Sequence, residues 1–217
     1  MTTLSPRDPE LPAAPEPLTE PPSLAHGDTL ATLLLDGTDL AGRHARGISI
    51  IEAVLRTVDL SGSRLEQLSL SDAELVGCNL SNVIAERARL YRTRVRNCRL
   101  TGLLVADAVL QDVTFTGCRI DLASFGASRL ERVSFDDCRL QQTDFMQCRL
   151  QDVRFEGCDL TGADFRGATL RRCESRTCEL EAVRGADRLR GLSMPWPEIV
   201  ANAGLWAGAL GIGRIED

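Results

Sequence analysis

A bulky apolar residue recurs at every fifth position through "CRLQQTDFMQCRLQDVRFEGCDL", Cys138 to Leu160: Leu140, Phe145, Leu150, Phe155 and Leu160. On an α-helix a step of five advances about 140° past a full turn, so such residues spiral around the rod. On a flat strand an odd step sends successive residues to opposite faces. One shared interior requires the chain to turn a corner every five residues, which makes it a coiling solenoid. The phase runs from Leu35 to Leu180 without an insertion. Of the 26 such positions between Leu55 and Leu180, 24 are Leu, Ile, Val or Phe, and only Ala85 and Ser175 depart. All six phenylalanines are in register: Phe115, Phe125, Phe135, Phe145, Phe155 and Phe165.

Two residues before the large residue there is nearly always a small or β-branched one, such as Ala73, Cys78, Val83, Ala88, Thr93 and Cys98. Alternation in a short strand directs both inward. Two residues after the large one comes a turn former in most repeats, among them Gly62, Gly77, Asn82, Asn97, Gly102 and Gly117; Gly and Asn tolerate the positive φ of a tight corner. Cys78, Cys98, Cys118, Cys138, Cys158 and Cys178 are spaced by 20, which points to four pentapeptides per coil. Cys148 and Cys173 also take the small inward position, so all eight thiols are expected to be packed in apolar surroundings and inert.

The repeats "TVDLSGSRL" (Thr57 to Leu65), "GCDLTGADF" (Gly157 to Phe165) and "GADFRGATL" (Gly162 to Leu170) resemble the A-(D/N)-L-x-x consensus of pentapeptide-repeat proteins. The resemblance implies an all-β solenoid: a right-handed, four-sided parallel β-helix with a C-terminal capping helix. The expected layout is a disordered Pro-rich tail over 1–27, an irregular N-terminal cap or first coil over 28–50, the repeat β-helix over 51–185, and a C-terminal cap over 186–217 with its helix near 197–210. The tail holds seven of the nine prolines and too little apolar surface to offset its ordering entropy. Arg43 falls on an inward position, which suggests irregularity in the first coil. A solenoid leaves apolar ends that need covering. Ile199, Val200, Ala203, Trp206 and Leu210 approximate helical spacing and, with Trp196, are expected to form a lid, a dimer contact or both.

Charge changes the picture only locally. The net charge is −6, of which residues 1–30 carry −4 and residues 51–180 only −1; every basic residue is Arg. Neither a secretory signal nor a membrane-length apolar run is present, so the cytoplasm is the expected location. His26 and His44 form no metal spacing or nucleophile pair, and no phosphate-binding loop occurs. No enzyme activity, cofactor or metal is expected. Arg87, Arg89, Arg92, Arg94, Arg96 and Arg99 crowd together at outward positions, and Arg99, Arg119 and Arg139 stand one coil apart. Acids are expected to face solvent beside them. Tyr91 alone interleaves as an aromatic, which disfavours direct nucleic-acid binding. The expected function is a rigid protein-binding scaffold with an unidentified protein partner. The resemblance also implies an alternative, a DNA-gyrase-binding, DNA-mimicking modulator that dimerises through its C-terminal helix; the near-neutral body departs from that pattern.

Overall fold

The corners decide the architecture. In the computed structural model, which describes residues 3–18 and 21–213, the second residue after each large apolar position takes a left-handed backbone. Gly62 (φ 65°) and Gly77 (φ 64°) do so without strain, but Thr57 (φ 50°), Arg92 (φ 44°), Asp112 (φ 56°) and Leu122 (φ 58°) do so as well. Left-handed backbone costs an L-residue roughly 1–2 kcal/mol, so the corners are imposed by stacking rather than chosen residue by residue.

Each corner turns the chain by one side of a square, and four sides bring it back one strand spacing higher. The result is a parallel β-solenoid of about nine turns. Its longest strands bend around one corner: Ser49–Arg56, Ser69–Val76, Arg89–Arg96, Val109–Thr116, Arg129–Asp136 and Arg149–Glu156. They pair in a register of 20, with Leu70 beside Leu90, Leu90 beside Leu110, and Leu110 beside Leu130. The other two sides are joined by single bridges, such as Arg99 to Arg119 and Ser124 to Asp144. Their backbone donors are satisfied from the next coil: the amides of Leu80, Leu100 and Ile120 reach the carbonyls of Arg99, Arg119 and Arg139 at 2.7 Å.

Stacking turns the phenylalanine register into two columns. Phe115, Phe135 and Phe155 stack on one side with centroids 5.0 and 5.2 Å apart. Phe125, Phe145 and Phe165 stack opposite at 5.3 and 5.0 Å, and the two columns meet edge to face at about 6 Å. The cysteines expected inside are there. Cys78, Cys98, Cys118, Cys138 and Cys158 are buried and unbridged, each pointing its Sγ at a carbonyl 23 residues earlier; Cys178, in the last coil, is half-buried. Burial pushes the Cys148 thiol up to about 12 and the Cys173 thiol up to about 11. The leucine-rich N-terminal half fills less completely. Ala85, where most repeats carry a larger residue, borders an apolar void of about 40 Å³ with Leu65, Val105 and Phe125.

Both ends differ from expectation. Residues 28–50 are regular coil, not an irregular cap: Thr29–Ala31 and Leu33–Asp36 pair with Ser49–Arg56, and His44–Arg46 pairs with Arg64–Glu66. Arg43 is tolerated because it stands in the end coil, where its side chain is exposed. Residues 3–18 do not lie free. They run along the outside of the solenoid and end as a two-residue strand, Glu16–Pro17, on Leu33–Leu34, while Leu24 is buried under the first coil. At the other end the single expected helix is two short ones, Trp196–Ala201 and Ala203–Ala209. Asn202 separates them at φ −97° and ψ 20°, its side-chain amide and its backbone N–H both donating to the Glu198 carbonyl, at 2.9 and 3.1 Å. Residues 1–2 and 19–20 of the expected tail and 214–217 of the expected cap lie outside the described residues.

Two substitutions test this packing. Phe145→Ala removes a ring held by four others and should lower unfolding free energy by about 3–5 kcal/mol in urea titration. Ala85→Leu fills existing space and should raise it by about 0.5–2 kcal/mol; a loss there would mean that the void cannot accept the larger side chain.

Candidate binding surface

The arginines singled out by sequence are not one patch. Arg87 to Arg99 span about two thirds of one coil, so the corners at residues 87, 92 and 97 spread them over three of its sides. Arg87 is exposed, 3.9 Å from Glu66, and Arg89 is exposed at the edge of a strand. Arg92 grips Asp72 with two bonds of 2.6 Å and stacks on the Tyr91 ring at 4.5 Å. Arg94 holds Asp8 of the tail at 2.6 Å and Glu74 at 3.3 Å; Arg96 holds Glu74 at 2.7 Å. Most of the expected basic belt is therefore neutralised by carboxylates in neighbouring coils or in the tail.

One column keeps its charge. Arg99, Arg119 and Arg139 stack on a single side through backbone bridges, and all three are exposed. Arg139 reaches Asp121 at 2.9 Å, whereas Arg99 and Arg119 have no carboxylate within 4 Å among the described residues. The same column is polar or acidic above and below: Asp39, Asp59 and Asn79 precede the arginines, and Asp159 and Glu179 follow. This side thus presents a positive band between negative ends.

A second column was missed by sequence reasoning. Asp72, Arg92, Asp112, Arg132, Asp152 and Arg172 alternate in sign at a spacing of 20, all at left-handed corners. Each arginine forks onto the aspartate one coil before it, with Nε at 2.6, 2.7 and 2.6 Å from Asp72, Asp112 and Asp152. Arg132 also bonds Glu131. The three aspartates are 5 %, 0 % and 1 % exposed, contrary to the expectation that the acids face water. They are covered by the arginines and by the tail. The 20-residue alternation of charge was visible in the sequence, but only to a reader comparing outward positions between coils.

The paired arginine holds the carboxyls of Asp72 and Asp152 below the usual range; for Asp112, burial opposes ionisation, but Arg132 and the Arg7 amide outweigh it.

At the C-terminal end the six residues expected on one helix face part company. Ile199 and Trp206 are half-buried, with Trp206 packed on the core and its indole N–H donating to the Ile199 carbonyl at 3.0 Å. Trp196 (73 % exposed), Val200 and Leu210 (73 %) face outward with Ile212, and Ala203 is exposed. Among the described residues no group of His, Cys, Asp and Glu is arranged to hold a metal, and no helix is long and apolar enough to cross a membrane.

Two family profiles match this coil: "Pentapeptide repeat region" over residues 108–184 and "Pentapeptide repeats (8 copies)" over 64–102, together more than half of the chain. The chain belongs to the pentapeptide-repeat family. Similar solved structures include trypsin-treated QnrB1, a plasmid-mediated fluoroquinolone resistance protein, at 17 % identity and TM-score 0.43, covering 88 % of this chain and 100 % of that one. HetL, a pentapeptide-repeat protein involved in heterocyst differentiation regulation from the cyanobacterium Nostoc sp. strain PCC 7120, is 20 % identical at TM-score 0.34 over 79 % and 91 %. Rfr23, a pentapeptide-repeat protein from the cyanobacterium Cyanothece 51142, is 18 % identical at TM-score 0.17 over 79 % and 86 %. A search of curated proteins returned no match. None of these likenesses is strong enough to transfer a partner to this pentapeptide-repeat chain.

The aspartate column predicts an acid response. Because the folded pKa values lie below those of the unfolded chain, the stability these groups contribute is full above the ordinary carboxylate range, about pH 4. It is lost as pH falls through the lowered folded values. Urea midpoints should therefore be level from neutral pH down to about 5 and drop below about 4. An Asp112→Asn variant should show a shallower drop.

Proposed function

We propose that this pentapeptide-repeat protein works without catalysis, as a rigid surface that binds another protein. The observation that supports this most directly is the exposed Arg99–Arg119–Arg139 column, in which two guanidinium groups lack a carboxylate partner among the described residues. Like charges held one strand spacing apart repel, and an anionic partner would relieve that repulsion. The solenoid interior is filled by Leu, Val, Phe and Cys side chains, which leaves no polar cleft inside it for a substrate. Such a partner would present acidic side chains at a matching spacing to the positive band. The negative ends of the same column would then help to set its position along the rod. The cytoplasm fits this reading, since eight unbridged cysteines suit a reducing compartment.

A second reading is a gyrase-binding modulator acting as a dimer. The outward Trp196, Val200, Leu210 and Ile212 favour self-association, because exposed apolar clusters of this kind mark contact sites. The charge columns argue against mimicry of duplex DNA. The corner column alternates in sign and the column through Asp39 and Glu179 is basic at its centre, so neither repeats a phosphate at each step.

A supercoiling assay with purified gyrase, with and without a fluoroquinolone, separates the two. The scaffold reading expects no inhibition and no drug protection at micromolar protein. Dose-dependent inhibition that is lost in a Trp196→Ser/Leu210→Ser variant would promote the second reading. Light scattering on the same pair should show a dimer become a monomer if the helices form the contact.

A further inference from the structure

The tail makes one contact three times. The Glu10 amide donates to Asp72 Oδ1 at 2.9 Å, the Arg7 amide to Asp112 Oδ1 at 3.1 Å, and the Leu4 amide to Asp152 Oδ1 at 3.3 Å. In every case the same oxygen also takes the Nε of the arginine one coil on. Three tail residues therefore correspond to 40 residues of solenoid, or two coils. Two coils span about 9.4–9.8 Å at normal strand spacing. Three residues of polyproline II span about 9.3 Å, and that helix turns once in three residues, so every third amide faces the same way.

The tail sequence is written for that conformation. Pro6, Pro9, Pro12 and Pro15 fall on every third residue, where each fixes φ near the polyproline II value and removes an N–H. The amides used, at residues 4, 7 and 10, belong to a different phase. Side chains add to the grip. Arg7 Nε reaches Asp112 Oδ2 at 3.2 Å, Asp8 meets Arg94 at 2.6 Å, and Thr3 Oγ1 donates to the Arg172 carbonyl at 3.0 Å.

We propose that the corner column of Asp72, Asp112 and Asp152 is a binding track for proline-rich peptides in the polyproline II conformation, with residues 3–10 of the same chain as its resident ligand. Recognition is by backbone rather than by side-chain pockets. Carboxylates oriented by arginines accept the amides of Leu4, Arg7 and Glu10, three residues apart, and the two-coil period measures the peptide's pitch; the Thr3 amide adds a bond of 3.4 Å to Glu174 at the end of the track. A proline-rich segment of another protein reaches the track only by displacing the tail. The proposal is independent of the Arg99–Arg119–Arg139 reading, which concerns a different side of the solenoid.

Amide hydrogen exchange on the full-length protein tests the register. The amides of Leu4, Arg7 and Glu10 should exchange at least about tenfold more slowly than those of Ser5, Asp8 and Leu11. Uniform fast exchange across the tail would overturn the proposal. The track is tested with a full-length Leu4→Pro/Arg7→Pro/Glu10→Pro variant, which keeps the polyproline II bias but deletes the three donors. A fluorescein-labelled peptide of residues 3–12 should bind this variant saturably and bind the wild type at least about tenfold more weakly, a difference of one decade in Kd. The same peptide carrying the three prolines should not bind. Equal binding of both peptides, or none of either, would refute backbone recognition. If the variant does not fold, the unlabelled peptide added in excess to wild type should speed exchange at residues 4, 7 and 10, and an unchanged pattern would refute the track. Protection that falls on dilution would assign the seated tail to a second copy and overturn occupancy in cis.

Discussion

One left-handed residue in every five is the constraint from which the rest of this molecule follows. It turns the chain through a corner, and four corners return it to the same place one strand spacing along the axis. From then on residue i lies beside residues i + 20 and i − 20, so sequence spacing becomes spatial stacking. That Arg92, Asp112 and Leu122 adopt this backbone without being glycine shows how strongly the cooperative stack outweighs local preference. The inward side chains then have no freedom of partner. Phenylalanine meets phenylalanine and thiol follows thiol, because the coil leaves each of them one site.

Outside, the same translation builds columns of charge, and their chemistry differs by side. Where signs alternate, as from Asp72 to Arg172, the ladder is self-satisfied and its carboxylates are buried. Where signs repeat, as at Arg99, Arg119 and Arg139, charge is left facing solvent. The interior and the self-paired corners hold the rod together, while the unpaired Arg99 and Arg119 and the outward residues of the last helices take no part in that. The neutralised arginines at positions 92, 94 and 96 show why a cluster along the chain is a poor guide to a cluster in space.

The tail shows the limit of reading composition. Its prolines and acids predict disorder because they offer little apolar surface, and that argument is sound for association by side-chain burial. The tail instead docks through backbone amides onto carboxylates, which needs no apolar area. Its prolines also restrict the unfolded chain, which lowers the entropy lost on docking. The helix break at Asn202 has a similar origin. Periodicity over 197–210 describes apolar spacing, whereas the break lies in hydrogen bonding that spacing does not show, with the Glu198 carbonyl shared by the Asn202 side chain and the Ile199 carbonyl taken by the Trp206 indole.

The period of five, the six phenylalanines in one register and the thiols spaced by 20 were enough to establish the coil and its interior, while its four sides were implied by the resemblance to pentapeptide-repeat proteins. A repeat protein is nearly one-dimensional, so each of those contacts lies one coil away in a known direction. Tertiary structure alone decided which arginines are neutralised, how the last helices divide between lid and exposed surface, and that residues 3–18 lie along the rod. These depend on contacts outside the period. Leu4 meets Asp152 across 148 residues and Glu10 meets Asp72 across 62, so the five-residue and 20-residue periods of the coil do not announce that meeting.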